Sequence, residues 1–220
     1  MTTWPDADAP TPGALVEALA GDLLEMSAAN SGGRIVVGIA GAPGSGKSTL
    51  ASLLSMHLGP TTSAVVPMDG FHLADAVLRG RGIRDRKGAI DTFDACGYVA
   101  LLARVVAADD PVVYAPMYMR GLEEPIAGAI PVPREIPIVL TEGNYLLVPD
   151  PPWAKLRDLA TAIWYVDIPN DIRQQRLQRR HEEHGMPSQE ARAWTVGPDE
   201  ENARLIASTR DYADRIVTWT

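Results

Sequence analysis

The sequence predicts an α/β fold, a parallel sheet covered by helices on both faces. Three observations lead there. Short apolar runs rich in β-branched residues alternate along the chain with longer stretches whose apolar residues recur at helical spacing. Those short runs are apolar throughout rather than at every second position, as in a strand buried on both faces. A glycine-rich turn joins the first such run, Ile35-Val36-Val37-Gly38-Ile39-Ala40, to the helical pattern that follows.

Taken in order, residues 1–13 contain acids and three prolines and read as a flexible tail. From Ala14 to Ala29, Leu15, Leu19, Leu23 and Met26 mark one helix face, and Asn30-Ser31-Gly32-Gly33 stops it. After the first strand and its turn, 47–58 reads as a helix and Ala64 to Met68 as a second strand. Residues 98–108 read as a helix and 111–114 as a short strand, while 115–135, rich in Pro and Gly, form a loop or hairpin. Ile136 to Thr141 and Ala162 to Ile168 are further strands, and Asn170 to His184 is a helix. Residues 188–195 and 199–212 complete the helices and Ile216 to Trp219 the strands. The expected organisation is one domain over 14–220, with an N-terminal helix, an insertion at about 111–135 and a lid at about 170–190.

The chain has 220 residues, 46% of them hydrophobic and 22% charged, which suits a globular protein with a large core. Cys96 is the only cysteine, so no intrachain disulfide and no Cys-rich metal site can form. No run approaches ~18 apolar residues, and the first residues lack the cationic and apolar regions of a signal peptide. A cytoplasmic location without a membrane partner is expected. Lys and Arg number 20 against 28 Asp and Glu, a net charge of -8 that argues against nucleic acid as a partner. The charge is uneven, however. Residues 79–87 (Arg79, Arg81, Arg84, Arg86 and Lys87 against Asp85) and 173–180 (Arg173, Arg176, Arg179 and Arg180) are two basic islands.

Gly41-Ala42-Pro43-Gly44-Ser45-Gly46-Lys47-Ser48 matches the phosphate-binding pattern G-x-x-x-x-G-K-S, between a strand and a helix as that pattern requires. Glycines let backbone N–H groups turn inward around phosphate oxygens, and the helix N-terminus adds positive potential. Lys47 would reach the β- and γ-phosphates, the Ser48 hydroxyl would hold Mg²⁺, and Thr49 follows in the first turn. No N-K-x-D stretch accompanies the motif to select guanine, and no L-S-G-G-Q marks a transporter ATPase. Asp69, in Met68-Asp69-Gly70-Phe71-His72, follows the second strand directly. It either opens onto the same crevice as the phosphate loop, to accept a hydroxyl proton or position Mg²⁺, or caps the next helix.

With these residues the chain resembles the P-loop kinases of the uridine kinase, phosphoribulokinase and type I pantothenate kinase group. Within that group it is most similar to bacterial nucleoside/nucleotide kinase-like proteins of the fructose transport system kinase type. The resemblance rests on Pro67 to Leu73, Arg86 to Asp94, Tyr114-Ala115-Pro116, Glu123 to Gly128, Glu142 to Leu147 and Arg176 to His181, covering most of 34–218 in order. It implies a three-layer P-loop NTPase fold with strand order 2-3-1-4-5 and an Arg-bearing lid. It also implies transfer of a phosphoryl group from ATP, with Mg²⁺, to an alcohol of a sugar or related metabolite. A nucleoside, pantothenate or sugar-phosphate kinase is the alternative among enzymes, and a non-catalytic nucleotide-binding regulator the alternative outside them. Intact Lys47, Ser48 and Asp69 argue against the regulator.

The resemblance makes Asp69 the catalytic base and sets Glu142 near Mg²⁺ or the substrate. Where many uridine kinases have Tyr-Asp, this chain has Tyr118-Met119-Arg120, which counts against uridine. The arginines of 173–180 fall within about 120° of one helix. They are either a solvated face paired with acids such as Glu182 and Glu183 or, as the family's lid implies, a cover for the triphosphate, with Arg176 and Arg180 acting in transfer. Residues 79–87 are either an exposed basic loop or, by resemblance, the border of the acceptor site, where Arg84 and Lys87 would hold an anionic acceptor. His72 and Tyr118 are grouped with that acceptor site, and Asn202 with the adenine edge. His181 and His184 have no assigned role, His57 reads as helix surface, and the five Trp and Met68 read as core. The oligomeric state stays open, a homodimer included.

Overall fold

In the computed structural model, residues 11–31 and 33–218 are described. Five strands form the main sheet: β1 (Ile35–Ala40), β2 (Ser63–Pro67), β5 (Ile138–Gly143), β6 (Ala162–Asp167) and β7 (Arg215–Thr218). Their order is β2-β5-β1-β6-β7, all neighbours parallel. Counting only these five, that is the expected 2-3-1-4-5. β3 (Val112–Met119) and β4 (Glu124–Pro133) pair separately as an antiparallel hairpin. The stretch 115–135 is therefore mostly strand, because its prolines sit on a two-stranded ribbon whose outer edges need no further ladder bonds.

Strand alternation sends neighbouring side chains to opposite faces of the sheet. Ile35, Val37 and Ile39 of β1 join Ile138, Leu140, Trp164 and Val166 against helices α1 (Pro12–Ala29) and α2 (Lys47–Leu58). Val36, Ala40, Val139, Ile163 and Tyr165 face the other way, against α4 (Ala95–Ala107), the hairpin base and α8 (Pro198–Ala207). Every residue of β1 and β5 is buried, which accounts for the apolar spelling of β1 and of Ile138 to Leu140, while Thr141 and Glu142 are buried polar groups. The helices between are α3 (Asp75–Gly80), α5 (Leu156–Leu159), α6 (Asn170–Glu183) and α7 (Ser188–Val196).

Several boundaries differ from expectation: α4 begins at Ala95, the helix read over 199–212 ends at Ala207 before a 3₁₀ turn at Arg210–Tyr212, and β7 begins at Arg215. The tail assigned to 1–13 lies outside the described residues up to position 10, and Pro12 and Gly13 are already helical. The Thr11 hydroxyl accepts from Ala14 N–H (3.3 Å) and Pro12 occupies the first helical position, where a missing N–H costs nothing. The third main-sheet strand starts at Ile138 rather than Ile136, because Pro137 precedes it, and runs on through Glu142 to Gly143. That extension carries Glu142 to the end of the sheet where the site lies.

Candidate active site

β1, β5 and β2 are adjacent and end level with one another. Ile39 and Pro67 both stand opposite Glu142, one on each side. β1 leads into the glycine-rich loop and β2 into a short 3₁₀ turn, Met68–Phe71, bearing Asp69. The strand order thus sets Glu142 between the phosphate loop and Asp69, at the carboxyl edge where open α/β sheets bind ligands.

The loop has the conformation its sequence demands. Gly44 (φ 82°) and Gly46 (φ 90°) are left-handed, and a Cβ on Gly44 would lie 2.7 Å from the Arg173 carbonyl oxygen. Gly44, Gly46, Lys47, Ser48 and Thr49 line a cavity of about 460 Å³, closed on its far side by Arg120, Arg176 and Arg180. The loop's remaining residues face elsewhere: Pro43 borders a second cavity, while Gly41, Ala42 and Ser45 are packed against the sheet edge. The Arg173 guanidinium donates to the Pro43 carbonyl (3.3 Å), fixing the loop to α6.

The second cavity, also about 460 Å³, adjoins the first through Arg120 and Arg180, which line both. Asp69, His72, Arg84, Lys87, Tyr118 and Asn202 all border it. Asp69 and Arg180 therefore share this chamber with the acceptor-side residues, Lys47 and Arg176 line the first cavity, and Glu142 is buried at 4% exposure. Burial pushes the Glu142 carboxyl up to about 7, against the Lys47 charge and a Ser48 hydrogen bond that favour its ionised form. Burial likewise lowers Lys47, and the nearby carboxylates of Glu142 and Asp69 oppose the fall. His72 is lowered by burial too, and its Nδ1 lies 2.8 Å from the Asp69 carbonyl oxygen, leaving Nε2 for the chamber.

Several expectations change here. Asn202, grouped by sequence with the adenine edge, has its place in α8. It borders the acceptor chamber, one helical turn beyond Asp199, because α8 packs back over α6 through the Glu200–Arg173 ion pair. The four arginines of 173–180 do not form one cationic face. Arg173 is buried against Glu200, and exposed Arg179 pairs with Glu183 (2.9 Å). Only Arg176 and Arg180 reach the phosphate cavity, being one turn apart on α6.

In the other island, Lys87 and Arg84 each donate to Asp75 (2.6 Å), and Arg79 does so at 3.2 Å. Arg86 is bound to Asp91 through two 3.1 Å bonds. Burial raises the Asp75 carboxyl, but the Lys87 and Arg84 hydrogen bonds outweigh it and hold the group at about 2. Lys87 and Arg84 thus border the chamber already neutralised. Among the tryptophans, Trp153 and Trp164 are core, while Trp194 borders the chamber; Trp4 and Trp219 lie outside the described residues. Met68 is core.

Sequence reasoning gave no role to four residues that belong here. Asn144 follows Glu142 by two positions, and its buried Oδ1 has no partner among the described residues. Its place beyond a strand end was a usable signal. Asp75 left only the weaker signal of an acid five residues past Phe-Gly punctuation. His181 contacts Asp199 through Nε2 (2.8 Å), and Arg120 reaches in from the hairpin turn. Neither of these has any local sequence mark, since both depend on how separate elements meet.

The family described as methylmalonyl Co-A mutase-associated GTPase MeaB matches residues 9–69, the stretch holding the phosphate loop and Asp69. A Schizosaccharomyces pombe protein named as a candidate uridine kinase is 32% identical over 168 residues, 73% of this chain and 72% of that one. Escherichia coli YggC is 32% identical over 206 residues, 90% of this chain and 85% of that one. A solved structure from Silicibacter, described as a candidate fructose transport system kinase, superposes with a TM-score of 0.81 at 38% identity, covering 93% and 98% of the two chains. The chain belongs to the P-loop kinases, in the group that holds the uridine-kinase-like proteins.

Proposed function

We propose that this protein is a Mg·ATP-dependent kinase that phosphorylates an alcohol group of a sugar or a related small, uncharged metabolite. The observation that carries this reading is the meeting of two cavities at Arg180: a glycine-lined phosphate cradle on one side and an Asp69-bearing chamber on the other. A kinase needs that juxtaposition, and a nucleotide sensor does not.

In the proposed mechanism the loop amides, Lys47, Arg176 and Arg180 hold the triphosphate, with Thr49 at the loop's exit. Ser48 and Glu142 supply oxygen ligands suited to a hard cation, and Mg²⁺ bound with the phosphates would neutralise charge there. Among the described residues no cluster of three or more His, Cys, Asp or Glu side chains could hold a metal by itself, which fits an ion that arrives with phosphate. Asp69 accepts the hydroxyl proton as the acceptor oxygen attacks the γ-phosphorus, and ADP leaves with the bridging oxygen. His72, Tyr118, Asn144 and Asn202 provide donors and acceptors for further hydroxyls, and the buried, unpartnered Asn144 Oδ1 calls for a donor. Because Lys87 and Arg84 already bind Asp75, the wall remote from the cradle favours a neutral polyol over a phosphorylated sugar. The charge of -8 supports a small-molecule partner, at work in the cytoplasm, rather than a polyanion. No described helix is long and apolar enough to cross a membrane.

ADP release measured across sugars, polyols, nucleosides, pantothenate and sugar phosphates tests the reading. One neutral polyol should stimulate release, and Asp69→Asn should lower that turnover by about 10³-fold or more while ADP binding stays within a few-fold. Nucleotide binding without stimulation by any acceptor would replace the kinase with a regulator. Full turnover in Asp69→Asn would remove the base assignment alone.

A further inference from the structure

Arg120 is the first residue after β3, in the turn that leads to β4. That turn is held firmly. Glu123 N–H donates to the Met119 carbonyl (2.8 Å), and the Glu123 carboxylate accepts from Tyr118 Oη (2.9 Å) and Gly121 N–H (3.0 Å). From outside, the Lys87 ammonium donates to the Glu123 carbonyl, and the Glu124 carboxylate accepts from Asp75 N–H at 3.0 and 3.2 Å. Closer to the sheet, a Cβ on Gly70 would lie 2.3 Å from the Pro116 carbonyl oxygen, so the hairpin rests directly on the Asp69 turn. The turn's direction is therefore fixed before any ligand binds.

So anchored, Arg120 extends over the site. Its Nη2 lies 4.0 Å from Asp69 Oδ2, too far for a hydrogen bond, and its side chain is 47% exposed. It lines both cavities, a position shared only with Arg180 among the residues bordering them. Burial first, and then the Arg120 charge, lower the Arg180 guanidinium, and Arg120 adds to the pull on Lys47 as well. Three cations from three elements converge where among the described residues no acid hydrogen-bonds any of them. The nearby carboxylates of Asp69, Glu142 and Asp199 offset that convergence only in part, since Lys47 and Arg180 remain lowered, so an entering anion is favoured. A triphosphate accounts for Lys47 and Arg180, but it leaves Arg120, which comes from the acceptor side.

We propose that Arg120 is a catalytic residue that binds the transferring phosphoryl group from the acceptor side, opposite Arg180. The proposal rests on the kinase reading above. In that reaction the acceptor O–P bond forms as the bond to the ADP oxygen breaks, Asp69 takes the proton, and charge spreads over the three peripheral phosphoryl oxygens. Arg120 donates to those oxygens, so it acts most strongly while the group is between the two cavities. The 79–87 island then has a different use from holding substrate. Lys87 and Asp75 hold the hairpin turn, and the turn aims Arg120.

Calorimetry with the full chain tests the phosphate side without an acceptor, and turnover with the acceptor found in the ADP-release panel tests the other side. Mg·ADP and the Mg-bound, non-hydrolysable imido analogue of ATP are titrated into wild type, Arg120→Ala, Arg120→Gln and Arg120→Lys. The Ala and Gln variants should bind Mg·ADP within about 2-fold of wild type and lose about 10-fold or more of the preference for the γ-phosphate-bearing analogue. Arg120→Lys should fall between, and acceptor-dependent turnover should drop about 100-fold in Arg120→Ala. An unchanged preference in both Ala and Gln variants would overturn the proposal. So would an effect confined to the acceptor KM, which would make Arg120 an acceptor contact instead. If wild type binds neither nucleotide, the kinase reading fails first, and that outcome is distinct from either of the others.

Discussion

Residues 79–87 and 173–180 carry the same excess of positive charge, yet the fold uses them differently. In the first, Asp75 gathers Arg79, Arg84 and Lys87, and Asp91 takes Arg86, so the island becomes a brace for the neighbouring hairpin. In the second, helix phase divides the arginines. Arg173 turns inward to Glu200, Arg179 turns outward to Glu183, and Arg176 and Arg180 face the glycine loop without a carboxylate partner among the described residues. A cation prepared for a ligand is thus recognised by the acid it lacks, and that acid is identified only in three dimensions. Both acids of the first island, Asp75 and Asp91, lie just outside the charged stretch.

The sharpest way to break this comparison is Arg180→Ala. If Arg180 is held for phosphate, acceptor-dependent turnover should fall about 10²- to 10³-fold, the size of a lost transition-state donor. The melting temperature should hold or rise, because a half-buried cation that no acid hydrogen-bonds is itself unfavourable. A drop in stability with unchanged turnover would show that Arg180 is structural, like Arg173.

Asp75→Asn probes the opposite case, where the charge is already satisfied. With the carboxyl held at about 2 rather than its ordinary 3.8, the folded state favours the ionised form. That contribution is complete above the unfolded value and disappears as pH falls through about 2; the fall from 3.8 to about 2 amounts to about 2 kcal/mol. Urea midpoints should therefore separate wild type from Asp75→Asn by about 2 kcal/mol at pH 7, and the gap should narrow between pH 4 and pH 2. Turnover should fall less than in Arg180→Ala, since the hairpin is also held by the Gly70–Pro116 contact. A gap independent of pH would mean that packing, not charge, links the two elements.

The parts of the site that could be read in the sequence are those written in one continuous stretch. The glycine loop, Asp69 and Glu142 each stand at the carboxyl end of a strand, and the apolar runs announce the strands, though not the exact ends of β5. The strand order was implied by resemblance and recovered in the sheet. What stayed hidden depends on contacts between distant segments. Arg120 comes within 4.0 Å of Asp69 across 51 positions, a meeting set by the hairpin, and Asn202 reaches the chamber because Glu200 ties α8 to α6. Periodicity placed four arginines on one arc but carried no information on which part of that arc would be buried.

The smallest effect is the strictest check on the rule that exposed, paired cations have no further use. Arg179 (81% exposed) and Arg79 (70% exposed) come from different islands, and each forms an i,i+4 pair with an acid on its own helix. Such surface pairs contribute about 0.3–0.5 kcal/mol, because solvent screens the charges and two long side chains must be ordered. Arg179→Ala and Arg79→Ala should each shift stability by less than about 0.5 kcal/mol and leave turnover within 2-fold. Arg179 adjoins Arg180 in sequence, so a kinetic loss in Arg179→Ala would mean that α6 rotates when nucleotide binds and brings a second row of arginines to the phosphates. Unchanged rates in both would confine the working charge of α6 to the Arg176–Arg180 row.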